Sequence, residues 1–355
     1  MTQRWQGLER AHDELEAGRA QSALHLLSGR VPPSWESERQ YLMGEALRSL
    51  GFLSRCQGHY GRALAGGSEP SLRFEASLAL ASARRSLGDW RGATISLKRA
   101  RAWRDHAPEG RLRFELEEAL ILRASGRYRE SIRRLLSLAR RFERSEDWAA
   151  AGFAFWAIAG ARRLLGQFSQ GERDFHRSFR LFSRNGDSVD KAYALFGLGG
   201  ITRMQGRLKD AESCYRRAGR LLRGGSDWFG QAYAECGLAN ALRQQGRARE
   251  ALAHYGRSAR LYGRLEDRVD LAYVHWGIGK IHLHGGRLSE ARPWLEKALS
   301  SFSRAHEDRG VILAQMALAQ LLHAQGRALS AESLFGRALS RARRMGLHTH
   351  LETFT

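Results

Sequence analysis

Arginine recurs at one fixed distance from a series of regularly spaced glycines. The third residue before the glycine is arginine in six successive cases, namely Arg48, Arg85, Arg123, Arg163, Arg203 and Arg243. A guanidinium group presents a planar fork of N–H donors that matches carboxylates and phosphates. These six arginines, called the arginine row below, therefore predict a series of cations that one extended anionic ligand could contact at several points. The alternative is a set of solvated arginines near helix C-termini, where a cation interacts favourably with the helix dipole.

Aromatic residues recur ten and thirteen positions before the same glycines in the middle of the chain. They are Phe153, Tyr193, Tyr233 and Tyr273, followed three residues later by Trp156, Phe196 and Trp276. Such rings can hold peptide side chains or stack on bases, and they can equally pack against a neighbouring helix. Because tyrosine tolerates a wet edge, Tyr193, Tyr233 and Tyr273 are the candidates for ligand contact.

The charge balance favours an acidic partner. The chain of 355 residues has 58 Lys+Arg against 37 Asp+Glu, a formal net charge of +21, and only five of its basic residues are lysine. A basic protein of this kind is suited to nucleic acid, an anionic membrane surface or acidic protein segments. A GC-rich genome would explain the preference for arginine over lysine, but it would not explain the net charge.

Residues for catalysis, metal binding or a cofactor are not indicated. Cys56, Cys214 and Cys236 are scattered and form no C-x-x-C pair, so neither a disulfide framework nor a zinc site is expected. His275, His282 and His284, with His348 and His350 at the tail, have no converging carboxylate or cysteine by spacing. The glycine-rich stretch 197–200 lies within a helical pattern and favours close helix packing over a dinucleotide loop. We therefore expect a protein that is not an enzyme and has no cofactor.

The N-terminal stretch has no apolar run, so we expect no signal peptide. The chain also has no run of 18 uninterrupted apolar residues, which argues against a transmembrane helix. With cysteines that suit a reducing environment, these features predict a cytoplasmic protein.

The glycines themselves mark an internal repeat. They are Gly18, Gly51, Gly88, Gly126, Gly166, Gly206, Gly246, Gly286 and Gly326, and from Gly126 onward every step is 40 residues. A small residue recurs seven positions before the glycine, alanine five after it and a bulky residue nine after it, most clearly in residues 231–267. The pattern therefore predicts that each unit forms two amphipathic helices joined by a tight turn, and that each unit stacks on its neighbours.

This pattern resembles the tetratricopeptide repeat superfamily, and the 40-residue form is similar to the long repeats of the kinesin-light-chain and LGN-type proteins. The resemblance implies an all-α, right-handed superhelical solenoid of nine helix–turn–helix units whose first helices line a concave groove. It places Arg123, Arg163, Arg203 and Arg243 on that groove, together with Tyr193, Tyr233 and Tyr273. Six residues before the glycine, where peptide-binding relatives often have asparagine, this chain has Asn240 and Lys280.

The array is expected to have two continuous sections. Residues 1–110 contain three shorter repeats that end in proline-containing breaks at 31–35, 67–71 and 106–110. Residues 111–355 contain six long repeats that end on an acid, which can cap the next helix: Asp147, Asp187, Asp227, Asp267 and Glu307. No polar capping helix follows the last repeat, so pairing with a second copy through that repeat is one expectation.

The function expected from these features is a non-catalytic protein–protein interaction scaffold that binds a peptide or protein segment, acidic in character, in the groove. Nucleic-acid binding through the arginine-rich surface is the alternative from another class. A structural subunit of a larger assembly is the third.

Overall fold

A computed structural model describes residues 6–66 and 69–345 of the chain. Within these residues the regular structure is helical throughout, with eighteen α-helices and no strand. The prediction of an all-α helical repeat solenoid is confirmed.

The first three repeats each contain one helix pair. The pairs are α1 (Gln6–Glu16) with α2 (Ala20–Leu26), α3 (Glu36–Ser49) with α4 (Leu53–Ala65), and α5 (Pro70–Ser86) with α6 (Trp90–Arg101). Short 3-10 turns occupy Pro33–Trp35, Arg104–His106 and Pro108–Gly110, where the first and third breaks were expected. Of the second break, residues 67 and 68 lie outside the described residues, and Pro70 is the first residue of α5, where its missing N–H costs nothing.

The remaining six repeats follow the same plan. Their pairs are α7 (Arg111–Ala124) with α8 (Tyr128–Arg144), α9 (Trp148–Leu164) with α10 (Phe168–Asn185), α11 (Ser188–Met204) with α12 (Leu208–Leu221), α13 (Trp228–Gln244) with α14 (Ala248–Arg264), α15 (Arg268–His284) with α16 (Leu288–Arg304), and α17 (Asp308–Ala324) with α18 (Ala328–Arg344). The division of the chain by repeat length at residues 110 and 111 stays a prediction.

The turn glycines adopt a backbone conformation that other residues rarely take. At Gly246 the φ angle is +77°, and the other eight glycines of the series also have positive φ. The Gly246 N–H donates to the Arg243 carbonyl at 3.0 Å, and the Arg247 N–H donates to the Leu242 carbonyl at 3.0 Å. This Schellman arrangement satisfies the last carbonyls of the first helix. In every repeat the first helix ends two residues before the glycine.

Small residues allow the helices of a repeat to approach closely. In α13 and α14, Ala239 and Ala251 have no exposed surface, and the bulky Tyr255 is also fully buried. A Cβ atom at Gly277 would stand 2.3 Å from the Tyr255 hydroxyl oxygen. The alternation of small and large residues therefore lets a second helix place its ring against the backbone of the following first helix.

Two compact units can be distinguished by their internal contacts. The first comprises the described residues up to Leu165, with Arg173–Asp190 and Gly224–Trp228. The second comprises Gly166–Glu172, Lys191–Arg223 and the described residues from Phe229 onward. Each has its own apolar clusters, built for example around Phe142 and Ile158 in the first unit and around Leu295 and Phe302 in the second.

Acids at the repeat ends cap helices in three of the expected cases. The Asp147 carboxylate accepts from the Ala150 N–H, and the Asp187 and Asp267 carboxylates each accept from two N–H groups of the following turn. Glu307 makes no such cap. Its carboxylate instead accepts from the Tyr273 hydroxyl at 2.8 Å, so at this position the expectation is wrong.

The last helix keeps apolar side chains on its surface. Leu329 and Phe335 of α18 are 84% and 47% exposed, whereas Leu295, the repeat equivalent of Phe335, is fully buried. The difference arises because no further described repeat covers α18. Self-association through this end stays a prediction. None of the described helices combines the length and apolar character needed to cross a membrane.

Candidate functional site

The arginines of the row differ in their partners. In the first unit, Arg48 forms an ion pair with Glu45 at 2.6 Å. Arg85 of α5 donates from Nε and Nη2 to the two carboxylate oxygens of Glu117, at 2.6 and 3.2 Å. Both cations are therefore neutralised within the unit.

Glu117 lies at a position where every other repeat after the first has a small or apolar residue. It is 5% exposed, and a buried carboxylate requires a charge partner and hydrogen bonds. Arg85 supplies both from the preceding first helix. The irregularity of this repeat in the sequence thus has a structural reason, which the spacing of arginines alone did not indicate.

Arg123 lies on the ring of an aromatic residue in the next repeat. Its guanidinium carbon is 5.2 Å from the centroid of Trp156, a distance typical of a cation–π contact. Burial, with the charges of Arg85 and Arg163 next in importance, lowers the pKa of Arg123 to about 10. A Cβ atom at Gly160 would stand 2.8 Å from Arg123 Nη1, so the glycine leaves room for the guanidinium.

The second unit repeats this arrangement with Arg243. The guanidinium carbon of Arg243 is 5.4 Å from the centroid of Trp276. Although Arg243 is only 8% exposed, its Nε and Nη2 are buried without a hydrogen-bond partner. Its neighbour in the row, Arg203, donates from Nη1 to the Gln244 side-chain oxygen at 3.3 Å, while Arg203 Nε is also buried without a partner. Among residues 6–66 and 69–345, neither arginine forms an ion pair with a carboxylate.

Lys280 adds a second deeply buried cation beside Arg243. It is 2% exposed, and its ammonium group donates to the side-chain oxygen of Gln320 at 2.9 Å. Burial, together with the charge of Arg243, lowers the pKa of Lys280 to about 8. Gln320 itself is exposed, so this hydrogen bond links the buried ammonium group to a residue at the surface.

Asn240 uses its side chain within the repeat. Its Oδ1 accepts from the Tyr255 hydroxyl at 2.8 Å, and its Nδ2 lies 3.6 Å from the Cys236 sulfur. The amide thus holds the second helix of its own repeat. A role in binding a ligand backbone, which the resemblance implies, would require Asn240 to exchange these partners.

The three candidate tyrosines are half-buried and pack against other rings. Tyr193 lies 5.3 Å from Phe196, and Phe196 lies 4.8 Å from Tyr233, measured between centroids. Tyr273 lies 4.6 Å from Phe302 and donates its hydroxyl to Glu307. Packing therefore accounts for much of each ring, and each of the three side chains is partly exposed.

Asp270, in the first turn of α15, was not singled out in the sequence, whereas its neighbour Asp267 was expected to cap this helix. Asp267 accepts from the Asp270 backbone N–H at 3.0 Å. Burial, with the charges of Asp267 and Glu307, raises the pKa of Asp270. The only signal in the sequence was the recurrent acid at the ends of repeats.

Two of the three histidines of α15, His275 and His282, contact side chains of α16. His275 packs against Trp294 with centroids 5.4 Å apart, and His282 Nδ1 is 2.9 Å from a Glu290 oxygen. His348 and His350 lie outside the described residues. On α1, potential ligand atoms of His12, Asp13 and Glu16 lie within 4.8 Å of one another; the sequence did not indicate this surface group.

Comparison with known protein families finds repeats over most of the chain. A family model described as Tetratricopeptide repeat matches residues 153–223, 230–304 and 270–344. A second model, described as Tetratrico peptide repeat, matches residues 43–150. No curated protein matches the chain.

Solved structures with the same fold cover nearly the whole chain at low sequence identity. A Rap protein complexed with Competence and Sporulation Factor has a TM-score of 0.66 at 12% identity, covering 96% of this chain and 98% of that chain. The Rap conjugation gene regulator of the plasmid pLS20, in complex with the Phr* peptide, has a TM-score of 0.65 at 13% identity, covering 98% of this chain and 96% of that chain. The apo form of RapI has a TM-score of 0.58 at 11% identity, covering 96% and 98%.

Proposed function

Because the chain belongs to the tetratricopeptide repeat family, as its repeat pattern predicts, we propose that it is a scaffold that binds an acidic peptide segment. The binding surface is the first-helix face of the second unit, formed by α13, α15 and α17 and defined by Arg243, Trp276, Lys280 and Gln320. No catalytic step is part of this proposal.

The observation that supports it most directly is a pair of buried cations without a counter-ion. Arg243 and Lys280 are 8% and 2% exposed, and no carboxylate of the described residues forms an ion pair with either. Burial of a charge is costly unless the charge is paired. A binding surface has a reason to keep such a pair, because the ligand supplies the missing negative charge.

The surroundings of the pair suit a peptide. Trp276 and Tyr273 lie on the same helix as Lys280, and Tyr233 lies on the same helix as Arg243. Aromatic residues beside arginine are typical of the residues that dominate binding energy at protein interfaces. Arg203, further along the row, offers a third cation to an acidic segment.

The solved structures give further support. Two proteins that share this fold over nearly their whole length were solved with a bound factor or peptide, namely a Rap protein with Competence and Sporulation Factor and a Rap regulator with the Phr* peptide. This chain has the same fold, which makes a peptide the class of ligand to test first.

A displayed library of random short peptides tests the proposal. Capture by the wild-type protein is compared with capture by the triple variant Arg203→Gln, Arg243→Gln and Lys280→Gln. A matched triple variant removes the same charge from exposed positions of second helices, at Arg249, Arg260 and Lys297. We expect peptides enriched in Asp and Glu from the wild type and the matched control, and loss of that enrichment in the first-helix variant.

Two results would contradict the proposal: no selective capture of peptides by the wild type, or unchanged capture by the first-helix variant. A single-stranded RNA pool forms a second arm. Salt-sensitive RNA binding that falls equally in both triple variants, without peptide capture, would support the nucleic-acid alternative instead.

A further inference from the structure

We propose, resting on the proposed peptide-binding function, that Arg243 and Lys280 together bind one carboxylate group of the ligand. Arg243 contributes the Nε–Nη2 edge of its guanidinium, and Lys280 contributes its ammonium group after the Gln320 amide has turned away. The ligand carboxylate thereby replaces a neutral acceptor with a charged one on Lys280.

The chain itself contains an occupied version of this arrangement. Arg85 precedes its turn glycine by three residues, as Arg243 does. In Arg85, Nε and Nη2 donate to the two oxygens of Glu117. In Arg243, the same two nitrogens are buried without a partner. The repeat position that Glu117 occupies therefore shows which edge of this arginine accepts a carboxylate.

The residue equivalent to Glu117 in the repeat after Arg243 is Gly277. Both lie nine residues before a turn glycine, Gly126 and Gly286 respectively. Gly277 has no side chain, and a Cβ atom there would stand 2.3 Å from the Tyr255 hydroxyl oxygen. The carboxylate that pairs with the arginine in the earlier repeat is thus missing here. Because Tyr255 of α14 lies against Gly277, a glutamate side chain would not fit at this position.

Lys280 makes this repeat different from the others in the row. Lys280 lies three residues, about one helical turn, after Gly277 on α15, and it is 2% exposed. The charge of Arg243 contributes to lowering its pKa, so the two cations are close enough to interact. The titratable groups near it are Arg243 on α13 and, on its own helix, His284. Burial and the charges of Lys280 and Arg243 lower the pKa of His284, so this imidazole is neutral at pH 7. Helix α17 contributes the neutral Gln320. Two cations and no acid among these groups match one carboxylate better than any neutral or basic group.

Gln320 controls access to the pair. It is exposed, and its side-chain oxygen is the acceptor for Lys280 at 2.9 Å. The amide oxygen of Gln320 is a neutral acceptor, whereas a carboxylate would add the Coulomb attraction of opposite charges to the hydrogen bond with Lys280. A ligand carboxylate can therefore displace the Gln320 amide, and the displaced amide can be solvated at the surface.

A peptide can supply this carboxylate from either of two places, an acidic side chain or its C-terminus. Three blocked tripeptides separate them: acetyl-Ala-Asp-Ala-amide, acetyl-Ala-Ala-Ala with a free C-terminal acid, and acetyl-Ala-Asn-Ala-amide as the uncharged control. Because the chain has only five lysines, selective isotope labelling of lysine gives five side-chain NMR signals whose pH titration reports on Lys280 directly.

We expect at least one carboxylate probe to raise the pH at which Lys280 loses its proton by about one unit or more, since a nearby opposite charge favours the charged form. The asparagine probe should leave that pH unchanged. The carboxylate probe that acts identifies the source. Arg243→Gln should weaken the response at least about tenfold in probe concentration, as expected for a lost charged hydrogen bond.

Gln320→Glu provides a variant that does not depend on removing a buried group. The new carboxylate at this exposed position would itself bind Arg243 and Lys280 in place of the ligand. It should therefore raise the pH at which Lys280 deprotonates and abolish the response to the probes. The proposal is overturned if carboxylate and asparagine probes act alike, or if Gln320→Glu leaves the response unchanged. Peptide capture that persists in that case would leave the proposed function intact and remove only this subsite.

Discussion

The guanidinium of Arg243 lies over the indole ring of Trp276, 5.4 Å from its centroid, and joins the first helices of two consecutive repeats. The same relationship recurs in the first unit, where Arg123 lies 5.2 Å from the ring of Trp156. In both cases the arginine precedes its glycine by three residues, and the tryptophan precedes the next glycine by ten. The contact thus occurs twice at equivalent repeat positions, and it orients the Arg243 cation, which forms no ion pair with a carboxylate among the described residues.

This stacking predicts a difference between two substitutions of Trp276. Trp276→Phe keeps an aromatic face under Arg243, whereas Trp276→Leu removes it, and both lose the indole N–H donated to the Leu313 carbonyl at 3.3 Å. We expect the leucine variant to be less stable than the phenylalanine variant by about 0.5–2 kcal/mol. Urea unfolding of both variants measures the difference.

The same pair of substitutions in an Arg243→Gln background is the control. Without the cation, the difference in stability between the two variants should shrink to the part that ring packing alone causes. A difference of the same size in both backgrounds would show that the guanidinium gains nothing from the ring.

Lys280→Met should stabilise the protein and weaken peptide binding. Burial lowers the pKa of Lys280 from the ordinary 10.5 to about 8, so charging it costs more in the folded state than in the unfolded state. The unfolded chain binds more protons between these two values, and wild-type stability should therefore rise as the pH increases from about 8 to 10.5. Below that window the charged lysine costs up to about 3 kcal/mol, which methionine removes.

Urea unfolding at pH 7 and across the alkaline window measures both effects. The methionine variant should be more stable at pH 7 and should lose the stability gain attributed to Lys280 in the window. Peptide capture should fall at least about tenfold, as expected for a lost charged hydrogen bond. Equal or lower stability at pH 7 would show that Gln320 and its surroundings compensate the buried charge.

The repeat framework was predictable from the sequence because its turns depend on a local property. A positive φ at each turn favours glycine over other residues, and a period of 40 residues makes the glycines visible. Local spacing likewise identified the close approach at Gly199, where a Cβ atom would stand 2.9 Å from a Tyr215 ring carbon.

The pairing of long side chains was not predictable in the same way. Arg85 and Arg243 occupy equivalent positions, yet one meets Glu117 and the other a tryptophan ring. Which partner an arginine finds depends on the residue that the next repeat offers, and that contact spans more than 30 residues of sequence. Similarly, Asn240 matched a ligand-binding pattern, but the Tyr255 hydroxyl occupies its side-chain oxygen.

The turn conformation predicts opposite effects of two glycine-to-alanine substitutions. Gly246 has a φ of +77°, so Gly246→Ala should destabilise the protein by about 1–2 kcal/mol. Gly256 lies inside α14, and a Cβ atom there meets nothing within 4 Å. Gly256→Ala should therefore stabilise the protein by about 0.5–1 kcal/mol.

Chemical denaturation of the two variants beside the wild type gives both signs in one experiment. Neither added methyl group meets a neighbour within 4 Å, so backbone conformation alone separates them. A neutral Gly246→Ala variant would mean that this turn relaxes to another conformation without loss of packing.

The pairing of Arg85 with Glu117 predicts that Glu117 stabilises the first unit and has no part in peptide binding. Both side chains are largely buried, at 12% and 7% exposure. Glu117→Gln would leave the arginine charge buried without a counter-ion, which costs about 3–5 kcal/mol. The double variant Arg85→Met and Glu117→Leu should lie within about 1 kcal/mol of the wild type, because removing both charges also removes their desolvation cost. Denaturation of the single and double variants measures these differences, and peptide capture by the double variant should equal that of the wild type. Reduced capture in a stable double variant would instead place Arg85 on the binding surface.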